Sequence, residues 1–130
     1  MTNHLKLADS YLRLSDEEKK YGNESESITN QREIIRDYCK KQGIIIVSEF
    51  VDDGYSGGNF ERPGFQAMLN HLAAGKANTV ITKDLSRLGR DMTESSYYAE
   101  RFFPEHGIHY LAPGNDFDSM GDNLMAPFQF

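Results

Sequence analysis

At 130 residues, with 38% apolar and 26% charged residues, the chain has the composition of one ordinary globular domain, residues 1–130, and leaves no room for a second of any size. A single cysteine, Cys39, excludes an internal disulfide and a thiolate metal site, and it points to a reducing compartment. Twenty acidic against fourteen basic residues give a net charge of −6, whereas a chain that grips DNA unaided is usually basic, because phosphate neutralisation dominates such affinity.

Residues 1–4 lack the basic and apolar regions of a signal peptide, and no apolar run approaches the length of a membrane span, so a cytoplasmic protein is expected. The first element is a strand ending near Ser15. Alternation along it directs Leu12 and Leu14 to one face and Tyr11, Arg13 and Ser15 to the other. Residues 16–26 are polar, contain Gly22 and have no apolar period, which predicts a mobile loop beside Ser15. Ser27 then caps a helix that runs to about Gln42, with Ile28, Ile34, Ile35, Tyr38 and Cys39 on its apolar face and Gly43 as its stop. Cys39 is read as a packing residue.

Residues 44–51 are apolar and β-branched enough for a buried parallel strand, and 52–58 form a turn-rich loop. Pro63 opens a second helix in which Phe65, Met68, Leu69 and Leu72 keep helical spacing until Gly75. Residues 79–82 make a third short strand. A helix over 91–105 carries Tyr98, Phe102 and Phe103, and 108–112 is a fourth strand. Strands alternating with helices imply an α/β fold: a mostly parallel sheet of about four or more strands, joined by right-handed crossovers and covered by helices on both faces. In such sheets ligands sit beyond the carboxyl ends of the strands, so Ser15, the 52–58 loop and the 84–90 segment can converge on one edge.

Two motifs carry chemistry. Tyr11-Leu12-Arg13-Leu14-Ser15 and Ser86-Arg87-Leu88-Gly89-Arg90 together offer a hydroxyl nucleophile and three guanidinium groups. Arginine donates paired hydrogen bonds from a planar fork and stays charged at any working pH, which suits a phosphate. Catalysis at a phosphodiester is largely positioning plus neutralisation of charge on the non-bridging oxygens, so several arginines around one hydroxyl form a chemically sensible set. The plainer alternative for Ser15 is a helix cap, and for the arginines a solvated surface charge. Asp52, Asp53, Asp84, Asp116 and Asp118 flank strand ends and carry a different reading, a Mg²⁺-dependent nuclease or phosphatase. A non-catalytic assembly module is a third. The glycines of 54–58 lack the Lys-Ser/Thr that a nucleotide P-loop needs, so no ATP or nicotinamide site is indicated. His4, His71, His106 and His109 fall in separate segments and form no cluster.

Six motifs in order resemble the catalytic domain of the serine recombinases, the resolvase and invertase family, and most closely the large serine recombinases of mobile elements. They are Tyr11 to Ser15, Ser27-Ile28-Thr29-Asn30-Gln31, Asp52-Asp53-Gly54-Tyr55-Ser56-Gly57, Glu61-Arg62-Pro63-Gly64-Phe65, Lys83 to Arg90, and Asn115-Asp116-Phe117-Asp118. The resemblance spans roughly residues 7 to 119. It implies that Ser15 attacks a DNA phosphodiester, forming a 5′-phosphoserine link and releasing a 3′-hydroxyl, so that religation needs no external energy source. It assigns Arg13, Arg87 and Arg90 to phosphate binding and matches Arg62, Gln31, Asp53 and Tyr11 to positions at or near the site. Many small members of the family carry Asp where this chain has Ser86; Asp84, two residues earlier, replaces that carboxylate only if the loop aims it into the site, so the general acid or base is left open. No cofactor or metal is implied.

The family's partners follow the same logic: DNA, held mainly by domains C-terminal to the catalytic one, and further subunits in a homodimer and a synaptic tetramer. Residues 122–128 resemble the segment leading into the family's long subunit-packing helix, so the chain reads as a fragment of a longer recombinase, inactive alone. Integration, excision and inversion are the reactions such an enzyme performs.

Overall fold

The computed structural model describes residues 5–54 and 62–120. Five strands form one sheet: β1 (Leu7–Leu14), β2 (Ile45–Asp53), β3 (Thr79–Ile81), β4 (His109–Ala112) and β5 (Phe117–Asp118). Their spatial order is β2-β1-β3-β4-β5, parallel except for the last pair. The sequence predicts the first four. The two-residue β5 is too short to carry a periodic signal, and it exists because a 3-10 turn at Pro113–Asn115 and a left-handed Asp116 fold the chain back on β4.

The strand order fixes where a site can form. From β1 the chain crosses to β2 on one side, then returns over β1 to β3 on the other. Right-handed crossovers in opposite directions place their helices on opposite faces and open a crevice between β1 and β3, at their carboxyl ends. Accordingly α2 (Ile28–Gln42) covers one face, packing Ile35 and Cys39 against Ala8, Leu12, Ile81 and Leu111. The opposite face is covered by α3 (Pro63–Ala73) and by the helical stretch of α4 (Met92–Tyr97), a π-helical turn (Tyr98–Phe102) and α5 (Phe103–Glu105). Phe65, Met68, Leu72, Leu88, Ala99 and Phe103 meet Tyr11, Val80 and Tyr110 there. The predicted 91–105 helix is thus continuous but widened by the π turn, which lets Tyr98, Phe102 and Phe103 stack edge to face.

Three expectations are corrected. Residues 16–26 are not a loop: α1 (Asp16–Tyr21) and a 3-10 turn (Glu24–Glu26) occupy them. The helix escapes apolar pattern reading because it buries no residue, and it forms from its ends instead, with Ser15 as N-cap, three acidic residues in its first turn and two lysines in its last. Strand β2 is not buried on both faces, since Ile45 and Val47 are 48% and 41% exposed at the outer end of the described sheet. Asp52 and Asp53 belong to that strand and not to the loop after it. The rest of the predicted glycine turn, Glu61 and the 122–128 segment lie outside the described residues. Helix α2 starts at the predicted Ser27 cap and stops at Gly43, which adopts a left-handed φ of 73°.

Buried Cys39 is a packing residue whose thiol is pushed up to about 11 by desolvation. Among the described residues the histidines remain apart: His71 pairs with Asp9 through Nδ1 at 2.6 Å, and His109 pairs with Asp118.

Candidate active site

Strand β1 delivers Arg13 and Ser15 to the crevice, and the chain leaving β3 delivers residues 82–90, folded as a 3-10 turn over Leu85–Arg87. These two segments lock together through reciprocal arginines. Arg13 Nη2 donates to the carbonyls of Ser86 (2.6 Å) and Gly89 (3.0 Å), and its Nε donates to that of Arg87 (3.3 Å). In return Arg87 Nη1 donates to the carbonyl of Arg13 at 2.9 Å. Arg62, at the start of α3, donates from Nη1 to the Leu88 carbonyl (2.8 Å) and lies 4.1 Å over the Phe65 ring. Its Nη2 reaches Glu94 Oε1 at 3.3 Å.

With exposures of 8%, 6% and 4%, Arg13, Arg62 and Arg87 are not solvated surface charges. Burial lowers the pKa of Arg13, with the neighbouring Arg62 and Arg87 charges adding to the effect against the attraction of Tyr11 and Glu18. Such crowding of like charge away from water is costly and is sustained here by the carbonyls and carboxylates that meet it. Arg90, on the outer rim, is one-third exposed and contacts Glu94 through both its backbone N–H (2.6 Å) and its Nε (3.4 Å).

Gly89 explains why the second motif contains a glycine. A Cβ there would stand 2.6 Å from Ser95 N, so only a bare backbone fits against the start of α4. Ser95 then closes the turn, accepting from Gly89 N–H (2.9 Å) and donating to the Leu85 carbonyl (2.7 Å).

Ser15 directly follows β1 and has the helix-cap role of its plainer alternative. It caps α1, its Oγ accepting from Glu18 N–H at 3.1 Å while Glu18 Oε1 accepts from Ser15 N–H at 3.0 Å. The cap uses an oxygen lone pair and leaves the hydroxyl proton available. Glu18 also accepts from Arg87 Nη1 at 2.9 Å. Burial alone would raise the Glu18 carboxyl, but hydrogen bonds from Arg87 and Ser15 outweigh it and hold the group below its ordinary value.

The supporting positions sort by what they touch. Gln31 is wholly buried under Arg13: its side chain accepts from Arg13 N–H (3.2 Å) and donates to the carbonyls of Arg13 (2.9 Å) and Glu26 (3.1 Å). Tyr11 is core, packed edge to face on Phe65, and burial drives its phenol far above the ordinary tyrosine range, with the Asp52 hydrogen bond adding to it. Tyr11 Oη donates to Asp52 Oδ2 at 2.6 Å. Asp53 faces outward to Lys19 at 3.4 Å. Asp84 and Ser86 meet one another, Ser86 Oγ donating to Asp84 Oδ1 at 2.5 Å, while Ser86 itself is exposed.

Three residues central to this geometry, Glu18, Glu94 and Ser95, escape the sequence reading of the site, and a fourth, Asp52, enters it only as a candidate metal ligand and motif residue. Asp52 accepts from the N–H groups of Gly64 (2.7 Å) and Phe65 (3.0 Å), anchoring the start of α3, whose own Arg62 provides no side-chain cap. Gly64 permits this approach, since a Cβ would lie 2.9 Å from Asp52 Oδ1. The spacing Ser15-x-x-Glu18 is a capping-box signature and was available in the sequence, as was Asp91-x-x-Glu94, where Asp91 caps α4 by accepting from Glu94 N–H.

Of the strand-edge carboxylates, Asp52, Asp53, Asp84 and Asp118 are each engaged with a separate partner, and among the described residues no three His, Cys, Asp or Glu side chains converge as a metal site would require. No helix of the described residues is long and apolar enough to cross a membrane.

Comparison with known proteins matches this arrangement to one family. Residues 8–127 match the family described as resolvase, N-terminal domain. The fold is shared with the N-terminal catalytic domain of TP901-1 integrase (TM-score 0.75, 24% identity, covering 95% of this chain and 92% of that one). It is shared equally with a resolvase family site-specific recombinase from Streptococcus pneumoniae (TM-score 0.75, 23% identity, 95% and 82% covered). An IS607-like serine recombinase, the ISC1926 TnpA catalytic domain, superposes with a TM-score of 0.66 at 21% identity over 95% of this chain and 78% of that one. In sequence, an uncharacterized immunity region protein 3 of Bacillus phage phi105 is 35% identical over 65 residues, half of this chain and 77% of that protein. The chain therefore belongs to the resolvase N-terminal domain family and is a serine recombinase catalytic domain.

Proposed function

We propose that this domain cuts and rejoins DNA through Ser15. The Ser15 oxygen attacks a backbone phosphorus, a new P–O bond forms to the serine, and the bond to the 3′ oxygen breaks. The serine proton is lost and the departing 3′ oxygen gains one, leaving a 5′ phosphate esterified to Ser15 and a free 3′-hydroxyl. Because one phosphate ester replaces another, the reverse attack by a 3′-hydroxyl reseals the strand with no cofactor. The observation that carries this reading is the placement of Ser15 at the β1 and β3 crevice, joined through Glu18 to the Arg87 guanidinium.

In this reading Arg87 and Arg90 meet the non-bridging oxygens. Arg13 and Arg62 hold the 85–90 turn from beneath, and Gln31 and Tyr11 hold the strand, so these four act by positioning. Asp84, which accepts from the Ser86 hydroxyl, is the carboxylate on the outer side of the turn, two residues before the position of the family's aspartate. No metal is needed, since the arginines supply the positive charge. The acidic net charge fits a domain whose DNA affinity resides in sequence C-terminal to it, and whose work is done in a homodimer and a synaptic tetramer. These 130 residues alone are expected to fold without recombining DNA, and recombination by them would contradict that division of labour.

The test uses the full-length recombinase containing this domain with its attachment-site DNA in EDTA, read on a denaturing gel. A protein–DNA adduct that disappears in Ser15→Ala supports the reading. Cleavage that requires Mg²⁺ and leaves no adduct contradicts it.

A further inference from the structure

Glu18 touches both halves of the reaction centre. Its Oε1 accepts from Ser15 N–H and from Arg87 Nη1, and its own N–H donates to Ser15 Oγ. Arg87 is 4% exposed and directs a single nitrogen, Nη1, at Glu18 and at the Arg13 carbonyl. Its Nε is buried with no acceptor among the described residues. A buried guanidinium needs an anion, and a forked one needs an acceptor for each prong. Glu18 supplies the charge but only part of the geometry.

The carboxylate is also the mobile partner of the two. Arg87 is fixed in the 85–90 turn by buried hydrogen bonds, whereas Glu18 keeps 29% side-chain exposure on α1, a helix with no buried residue. Beyond its caps and the Arg87 pair, α1 is held at its surface by Lys19 to Asp53 (3.4 Å), a contact of small net worth, while the far end of the segment is tied by Lys83 Nζ to the Ser25 carbonyl (2.7 Å) and by Gln31 Nε2 to the Glu26 carbonyl (3.1 Å). Moving α1 therefore exposes little apolar surface.

We propose that Glu18 is a placeholder for the substrate phosphate: it neutralises Arg87 while DNA is absent, and a phosphodiester displaces it. The same displacement breaks the bond from Glu18 N–H to Ser15 Oγ, so the nucleophile is uncapped at the moment its electrophile arrives. The inference rests on the reading of Ser15 and Arg87 given above. A phosphate oxygen standing where Glu18 Oε1 stands meets the same two donors, Arg87 Nη1 and Ser15 N–H, and the phosphate brings further unshared oxygens that a carboxylate tethered to α1 does not.

Glu18→Gln separates charge from capping, because glutamine keeps an acceptor for Ser15 N–H and loses the ion pair. Inorganic phosphate is titrated at pH 7 and constant ionic strength into the 130-residue chain, with binding followed by the Ser15 amide and Arg87 Nε–H resonances. The expected result is about tenfold tighter phosphate binding in Glu18→Gln than in wild type, the factor matching a charge-assisted contact of about 1.4 kcal/mol. A purely structural Glu18 would give the opposite sign, since loosening the site weakens binding. Unchanged or weaker binding in Glu18→Gln, with Arg87→Gln still reducing affinity, overturns the placeholder and leaves Arg87 as the phosphate ligand. An affinity indifferent to Arg87→Gln, with no Arg87 Nε–H shift in wild type, overturns that reading and the placeholder together. Should Arg87→Gln fail to fold, the wild-type Nε–H shift alone decides between these two failures.

Discussion

The two walls of the crevice are built from the same kinds of side chain and held in opposite ways. The 85–90 turn is fastened from below by buried arginines donating to its carbonyls, from behind by Ser95 and from the side by Arg62 on the Phe65 ring. The 16–26 wall buries nothing in α1 and is held there by caps, the Arg87 to Glu18 pair and surface charge, with Gln31 anchoring only its far end at the Glu26 carbonyl. Arginine in the first wall is structural cement, whereas lysine and glutamate in the second are reversible ties. A nucleophile placed at the joint, as Ser15 is, has a fixed phosphate-binding side and a side that can yield.

The largest effect that sharpens this contrast comes from beneath the fixed wall. Asp52→Ala removes the acceptor of Tyr11 Oη, Gly64 N–H and Phe65 N–H, and a loss of about 3 kcal/mol in global stability is expected from urea unfolding. Next, Arg13→Met leaves the carbonyls of Ser86, Arg87 and Gly89 without their donor. It should cost about 2 kcal/mol by the same measurement, and the amides of 85–90 should exchange faster. A negligible cost for either would show that the fixed wall is not fixed by these contacts.

Changes in the yielding wall should barely move the global midpoint. Ser15→Ala removes the α1 cap, worth about 1 kcal/mol locally. Faster exchange confined to 16–26 is expected, with urea unfolding almost unaltered. The pH response has the sign of a lowered carboxyl. Protection contributed by the Glu18 contacts is fully present above the group's ordinary value of 4.5 and is lost as pH falls through its lowered value in the fold. Hydrogen exchange of α1 across that window checks it, and Glu18→Gln should flatten the profile. Smallest of all, raising salt should loosen 16–26 more than 85–90, because exposed pairs are screened and buried ones are not.

The same contrast explains what was legible in the sequence. Helices α2 and α3 and strands β1, β3 and β4 bury apolar residues at regular spacing, so Ile35, Cys39, Phe65, Met68 and Leu72 announced them. Helix α1 buries none, so its sequence reads as a loop. Its evidence lay in the spacing of Ser15 and Glu18, a capping signal and not a packing one. Among the site residues, Arg13, Arg62, Arg87 and Ser15 are linked around the 85–90 turn and Arg90 stands on its rim beside Glu94, but motif reading gives residue types and not partners. It could not show that Arg13 spends its guanidinium on carbonyls, nor that Asp52, from another strand, starts α3. Contacts between residues distant in sequence carry no periodic signature.

The most direct test of the central claim maps the attached nucleotide. A DNA duplex whose bridging 3′ oxygen at the cleavage site is replaced by sulfur releases a thiol that reseals poorly, so the covalent product accumulates and its peptides can be sequenced by mass spectrometry. A 5′-phosphonucleotide on Ser15, formed in EDTA, is the predicted result. An adduct on any other residue, or cleaved DNA with free 5′ phosphates and unmodified Ser15, would contradict the account.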